Sequence, residues 1–167
     1  MENYGDAKGL LFSQLGQDLS KRKFGIVNCD DPWHERFMEK TSYPIFTFGI
    51  QQEADFFGKN LVLSPDGTTF TLVCPEGEFH VEMNLIGEFS VLNALAVIAA
   101  LYAKGMAIEN IIDYLAQIKP ITGRMEKVET DLPLTMYIDY AHTDDAIKKA
   151  IEAVEPYKKN KIIFLIG

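Results

Sequence analysis

Two short runs near the C-terminal end of this sequence hold the residue types that handle phosphorylated small molecules. They are Gly123-Arg124-Met125-Glu126 and, thirteen residues after that glutamate, Asp139-Tyr140-Ala141-His142-Thr143. Arginine presents a planar fork of donors that matches phosphate oxygens. An aspartate closing an apolar strand can take the two hydroxyls of a ribose, as in dinucleotide folds, and the junction between a strand and the next helix is where α/β proteins place ligands. No phosphate-cradling loop accompanies these runs: the sequence holds neither G-x-x-x-x-G-K-[ST] nor G-x-G-x-x-G. The chain therefore reads as part of a nucleotide-using enzyme without the element that holds the phosphates. Each residue also has a simpler reading. Arg124 could be a surface arginine, Asp139 a helix cap, and His142 a structural histidine.

The elements that must position these residues follow from periodicity and punctuation. Ala7, Leu10, Leu11 and Leu15 recur at helical spacing, which predicts a helix over 3–15 ending near Gly16. A strand over 23–28 enters Asp30-Asp31-Pro32, a turn and helix start with proline at or near the first helical position, and the helix runs to about Lys40. A strand follows over 45–48. Runs at 59–63, 68–73 and 79–83 are separated by Ser64-Pro65-Asp66-Gly67 and Pro75-Glu76-Gly77, which predicts a small antiparallel meander. Ser90 is a plausible cap for a long apolar helix that Gly105 ends, and a second helix over 108–117 is stopped by Lys119-Pro120. Beyond a linker at 119–123 the sequence predicts strands near 125–128 and over 134–139, a helix over 144–154 and a strand over 161–166. The last strand is a continuous apolar run of the kind covered on both faces. A lone strand–helix–strand unit cannot bury it, so the chain is expected to stop inside a second domain.

Composition limits the classes. The chain has 167 residues, 47% hydrophobic and 24% charged, enough for a real core. A net charge of −8 argues against a nucleic-acid or anionic-membrane surface as the main partner. The apolar segment 89–103 is shorter than the roughly 20 residues of a membrane span and reads as a buried core helix. The N-terminus lacks the pattern of a signal peptide. Cys29 and Cys74 form neither a disulfide framework nor a zinc motif, which fits reduced thiols in a cytoplasmic protein.

Four stretches in order carry a family resemblance: the first twelve residues around Tyr4, Ala7-Lys8 and Leu11-Phe12; Asn28-Cys29-Asp30-Asp31-Pro32; the run from Gly87 to Ala96 containing Asn93; and the two runs that open this section. Together they resemble the Mur ligase family of peptidoglycan synthesis, over essentially the whole chain, and within it the branch that adds the third residue of the stem peptide. The resemblance implies an α/β fold. Residues 1–121 would be the back half of the central ATPase domain, with the meander, and residues 122–167 the beginning of a Rossmann-like C-terminal domain. It implies an ATP- and Mg2+-dependent ligase that joins a diamino acid, L-lysine or meso-diaminopimelate, to UDP-MurNAc-L-Ala-D-Glu through an acyl phosphate.

The resemblance also implies roles for single residues. Lys8 matches a lysine that becomes a carbamate and helps hold magnesium; a free amine repels a cation, whereas a carbamate is an oxygen ligand. In this stretch alone an unmodified lysine is expected, and a helix lysine is otherwise simply solvated. Asn93, the main polar residue of the apolar helix, would sit against adenine, its amide giving both a donor and an acceptor; its simpler reading is a buried amide that ties down a loop. Arg124, Asp139, Tyr140 and His142 would contact ATP. Asn28, Asp30 and Asp31 read more simply as a turn and cap. The family commonly has proline after the His-Thr pair, where this chain has Asp144, an acid suited to a helix start. Two alternatives stay open: a non-catalytic folding or interaction module, and a ligase like folylpolyglutamate synthetase. Without a phosphate loop the chain itself is expected not to ligate.

Overall fold

A computed structural model describes residues 2–15 and 23–166. Helix α1 (Glu2–Ser13) precedes strand β1 (Gly25–Asn28), the short helix α2 (His34–Met38) and strand β2 (Ile45–Gly49). The meander follows as β3 (Phe56–Ser64), β4 (Gly67–Cys74) and β5 (Gly77–Met83). Helices α3 (Glu88–Ala103) and α4 (Ile108–Ala116) complete the first region. The second holds β6 (Glu126–Val128), β7 (Met136–Ile138), α5 (Asp144–Val154) and a 3₁₀ turn (Glu155–Tyr157). The expected helix end at Gly16 lies outside the described residues.

The first five strands form one sheet in chain order. β1, β2 and β3 run parallel, while β3, β4 and β5 are antiparallel. The antiparallel part is the expected meander. Two-residue connections close it, because Ser64 pairs with Gly67 and Cys74 with Gly77. The first turn is fixed by Ser64, whose Oγ donates to the Gly67 carbonyl at 2.9 Å. Along β4 the inward residues alternate: Thr68, Phe70, Leu72 and Cys74 are buried. That period of two is what a half-buried strand requires.

Helix α3 lies across β1, β2 and β3, and α4 covers β5. Phe56, Phe70, Leu72 and Val81 of the sheet meet Val91, Leu95 and Ile98 of α3 and Ile108 and Ile111 of α4. Each large aliphatic buried here contributes about 1.5–3 kcal/mol. The buried side of α3 is only one side: Val97 is 45% exposed, and Asn93 is exposed one turn before it. The segment 89–103 is thus a core helix with an open stripe.

Helix α3 does not start on Ser90, as expected. Its N-cap is Gly87 at φ +88°, and Ser90 lies inside the helix with Oγ donating to the Ile86 carbonyl at 2.7 Å. Only glycine fits position 87, since a Cβ there would stand 2.8 Å from the Phe89 ring and 2.9 Å from the Ala153 Cβ. At the other end Gly105 N–H reaches the Tyr102 carbonyl and Met106 N–H that of Leu101, at 2.8 and 3.1 Å. This is the paired closure of a Schellman motif. α2 is shorter than expected, because Pro32 stays in the turn ahead of it, where Asp31 Oδ1 accepts the Trp33 N–H at 2.8 Å.

In the second region β6 and β7 pair antiparallel, and α5 is capped by Thr143, whose hydroxyl accepts the Ala146 N–H at 3.3 Å. The expected strand over 161–166 is not formed. A strand exists only when a neighbour supplies a ladder, and no described residue pairs with this run. Its apolar side chains stay outside, with Ile163 79% and Leu165 95% exposed.

Candidate functional site

The two runs singled out in the sequence are stitched together by their own backbone. Asp139, just beyond β7, uses both carboxylate oxygens: Oδ2 accepts the Met125 N–H and Oδ1 the Ala141 N–H, each at 2.8 Å. The Tyr140 N–H returns to the Gly123 carbonyl at 2.9 Å. Within the first run Glu126 Oε2 accepts the Gly123 N–H at 2.8 Å, and the Arg124 N–H reaches the Ile121 carbonyl at 2.9 Å.

This network holds a backbone that sterics alone disfavours. Gly123 has φ +70° and Met125 φ +44°. The left-handed region costs a residue with a Cβ about 1–2 kcal/mol. Burial of the Met125 side chain against Ile86, Ala150 and Ala153 offsets that cost, together with the bond from Asp139. The positive end of Arg124 is thereby presented outward. Its guanidinium lies over the Tyr140 ring at 5.3 Å, and no carboxylate among the described residues pairs with it. The Tyr140 ring also meets the His142 ring edge-on at 5.3 Å. His142 Nδ1 stands 3.0 Å from the Tyr140 carbonyl. A carbonyl only accepts, so in this bond Nδ1 is the donor and Nε2 is left without a protein partner among the described residues. Arg124, Asp139, Tyr140 and His142 therefore form one constellation.

The other two candidates lie elsewhere. Lys8 lines a cavity of about 430 Å³ beside β1, whose other polar lining residues are Asn28 and Asp31. Asn93 departs from the expectation of a buried amide. It is exposed, and it makes no hydrogen bond among the described residues. The reason is its face: four residues after Phe89, it lies on the side of α3 that turns toward the second region. Its donor and acceptor are both open to a ligand.

The turn after β1 is structural, as its simpler reading held. Asp30 accepts three backbone N–H groups, from Ile50 at 2.8 Å, Gln51 at 3.1 Å and Gln52 at 2.9 Å, while Asn28 Oδ1 accepts the Asp30 N–H at 3.0 Å. Cys29 and Cys74 are free and buried, and burial pushes both thiols above their usual range. Among the described residues no group of three or more His, Cys, Asp or Glu is placed to hold a metal ion, and no helix is long and apolar enough to cross a membrane. Sequence reasoning gave Glu126 no role. Its signal was the i to i+3 spacing from Gly123, the spacing of a capping box.

The second region is clamped to the first. Lys127 Nζ meets Asp66 Oδ1 at 2.6 Å, and the Tyr137 hydroxyl donates to the Pro65 carbonyl at 3.3 Å. The Tyr157 hydroxyl is buried beside Tyr137 without closing a hydrogen bond of its own, and burial lifts it well above the ordinary tyrosine range.

Comparison with known proteins places both regions in one family. Residues 1–101 match the Mur ligase middle domain, and residues 123–167 match the Mur ligase glutamate ligase domain. The whole chain is 44% identical to the UDP-N-acetylmuramoyl-L-alanyl-D-glutamate--L-lysine ligase of Staphylococcus aureus (strain MW2), of which it spans 34%. Among solved structures, a UDP-N-acetylmuramoyl-L-alanyl-D-glutamate--2,6-diaminopimelate ligase superposes on 92% of this chain and 32% of its own, with a TM-score of 0.74 and 29% identity. MurF from Acinetobacter baumannii superposes on 85% of this chain and 31% of its own, with a TM-score of 0.77 and 26% identity. The chain thus spans about a third of the length of the curated relatives it matches. With its stitched Gly-Arg-Met-Glu and Asp-Tyr-Ala-His runs set between two matched domains, this chain belongs to the Mur ligase family.

Proposed function

We propose that this chain is the nucleotide-facing middle of an ATP-dependent ligase that joins a diamino acid to UDP-MurNAc-L-Ala-D-Glu. Residues 1–121 belong to its central domain and residues 122–167 begin its C-terminal domain. The observation that carries the reading is the constellation at 123–142: a guanidinium without a carboxylate partner among the described residues, backed by an aromatic ring, on a loop locked by carboxylates. Names of relatives 44% identical over the whole chain support L-lysine as the amine over meso-diaminopimelate.

The residues present fit a nucleotide. Arg124 holds phosphate charge, Tyr140 offers a ring face, and the open amide of Asn93 suits a purine edge. Asp139 retains one lone pair on each oxygen for ribose hydroxyls, and His142 presents Nε2 at the same rim. ATP supplies the phosphoryl group that activates the D-glutamate side-chain carboxylate for attack by the amine. Magnesium keeps several waters and needs few protein ligands, so the absence of a His/Cys/Asp/Glu cluster among the described residues is compatible with it. Lys8 lines a cavity beside β1 and, as its carbamate, would supply oxygen there. The protein's own contribution is positioning and charge stabilisation. The buried, protonated thiols suit a reducing cytoplasm.

The test is ADP release by the full-length ligase containing this stretch. Turnover should require UDP-MurNAc-L-Ala-D-Glu and L-lysine together, and the 167-residue stretch alone should show none. Turnover with a folate acceptor instead, or ligation by the isolated stretch, would overturn the reading.

A further inference from the structure

We propose that Glu126 is a positioning residue of the nucleotide site: its carboxylate fixes the backbone on which Arg124 rides, and so the guanidinium's approach to phosphate. The inference rests on the nucleotide role proposed for Arg124. Glu126 opens β6 and pairs with Ile138, the residue before Asp139, so the two carboxylates reach the Arg124 loop from neighbouring stretches of backbone. Each spends an oxygen on a backbone amide beside the arginine, Glu126 on Gly123 and Asp139 on Met125, both at 2.8 Å. With the Arg124 N–H held by the Ile121 carbonyl at 2.9 Å, three consecutive amides are fixed.

Glu126 lies only two residues from Arg124 and could have been its counter-ion. It forms no ion pair among the described residues, and its carboxylate turns to the loop amide instead. A carboxylate paired with the guanidinium would compete with phosphate. Placed on the Gly123 amide, it restrains the left-handed Gly123, as Asp139 does the left-handed Met125, and leaves the arginine's charge for an anion. The part Glu126 plays is therefore that of an acceptor, and its negative charge is incidental.

That distinction sets the experiment: ATP affinity of the full-length ligase by calorimetric titration, with thermal unfolding in parallel. Glu126→Ala and the length-matched Glu126→Met remove the acceptor and should weaken ATP about tenfold, whereas Glu126→Gln keeps a carbonyl oxygen for Gly123 and should stay within about threefold of the parent. In an Arg124→Ala background, Glu126→Met should add nothing, because the two act through one group. If Glu126→Ala does not fold, the Met and Gln pair carries the comparison. Equal losses in Met and Gln, or full additivity with Arg124→Ala, would overturn the positioning role. If Arg124→Ala weakens ATP and Glu126→Met does not, this inference alone falls. If Arg124→Ala leaves ATP affinity unchanged, the nucleotide reading of Arg124 falls and this inference with it.

Discussion

The two regions are held together by different physics. The first buries large side chains from a five-stranded sheet and two helices, with Phe56, Leu72, Val81, Leu95, Ile98, Ile108 and Ile111 all at 0% exposure. The second has a small core of Ile86, Met125, Ala150 and Ala153, and draws its definition from carboxylate–amide bonds, tyrosines and one close ion pair. The difference teaches where rigidity is placed. Area burial carries no charge to titrate or to screen and suits a scaffold. Directional polar bonds fix a few atoms closely and suit a ligand loop.

The contrast breaks most sharply in the scaffold. Leu95→Ala should cost about 2–5 kcal/mol of stability. In a denaturant titration it should lower the midpoint for the whole molecule, because the second region borrows Ile86 and Phe89 from the start of α3. A variant that loosened only the second region would contradict this arrangement.

A smaller and local effect is expected at Asp139. In Asp139→Asn one oxygen can still accept, but the amide nitrogen faces a backbone N–H it cannot bond. The loss should be at most about 1–3 kcal/mol, the worth of a hydrogen bond to a charged group, because the site is only part-buried. Hydrogen exchange should quicken at Met125 and Ala141 and stay slow in β4 and α3. Uniform acceleration would show that the two regions are not separable.

The smallest effect sharpens the comparison through pH. The Tyr157 hydroxyl has a folded pKa raised above that of the unfolded chain, by burial first and by Tyr137 next. The folded state therefore keeps the proton longer. The stability it contributes is complete below about pH 10, the unfolded tyrosine value, and falls as pH climbs above it, because the unfolded chain ionises first. Tyr157→Phe removes both the titration and an unpartnered hydroxyl. It should leave neutral-pH stability unchanged or slightly higher and flatten the alkaline decline of the second region's fluorescence or exchange. An unchanged alkaline profile would assign that decline elsewhere.

Much of this was legible in the sequence, for reasons that differ by region. The meander could be read because Thr68, Phe70, Leu72 and Cys74 alternate between two Pro-containing turns. The Arg124 and Asp139 runs could be singled out by residue type and by the family resemblance, whereas the bonds that join them at Met125 and Gly123 appear only in the structure. The failures have a common cause in information that is not local. Periodicity places apolar residues around α3 without saying which side another element covers, so Asn93 looked buried and is exposed. The apolar run at 161–166 has a strand's composition, but pairing belongs to a neighbour. Ser90 looked like a cap because serine favours caps, while the contact between position 87 and Ala153 that selects glycine is visible only once the two regions are docked.

The start of α3 belongs to both cores, since Val91 joins the core of the sheet while Ile86, just before the helix, and Phe89 pack in the core with Ala150 and Ala153 of α5. That sharing makes the docking one-sided. Residues 122–157 complete their small core with Ile86 and Phe89 from the start of α3, whereas among the described residues the core of the sheet and α3 draws no buried side chain from beyond Leu115. Within this stretch the sheet, α3 and α4 close a core from their own side chains, and the 122–157 unit completes its core only by docking on the start of α3. The loop that carries Arg124 is thus set against a surface that the first region supplies.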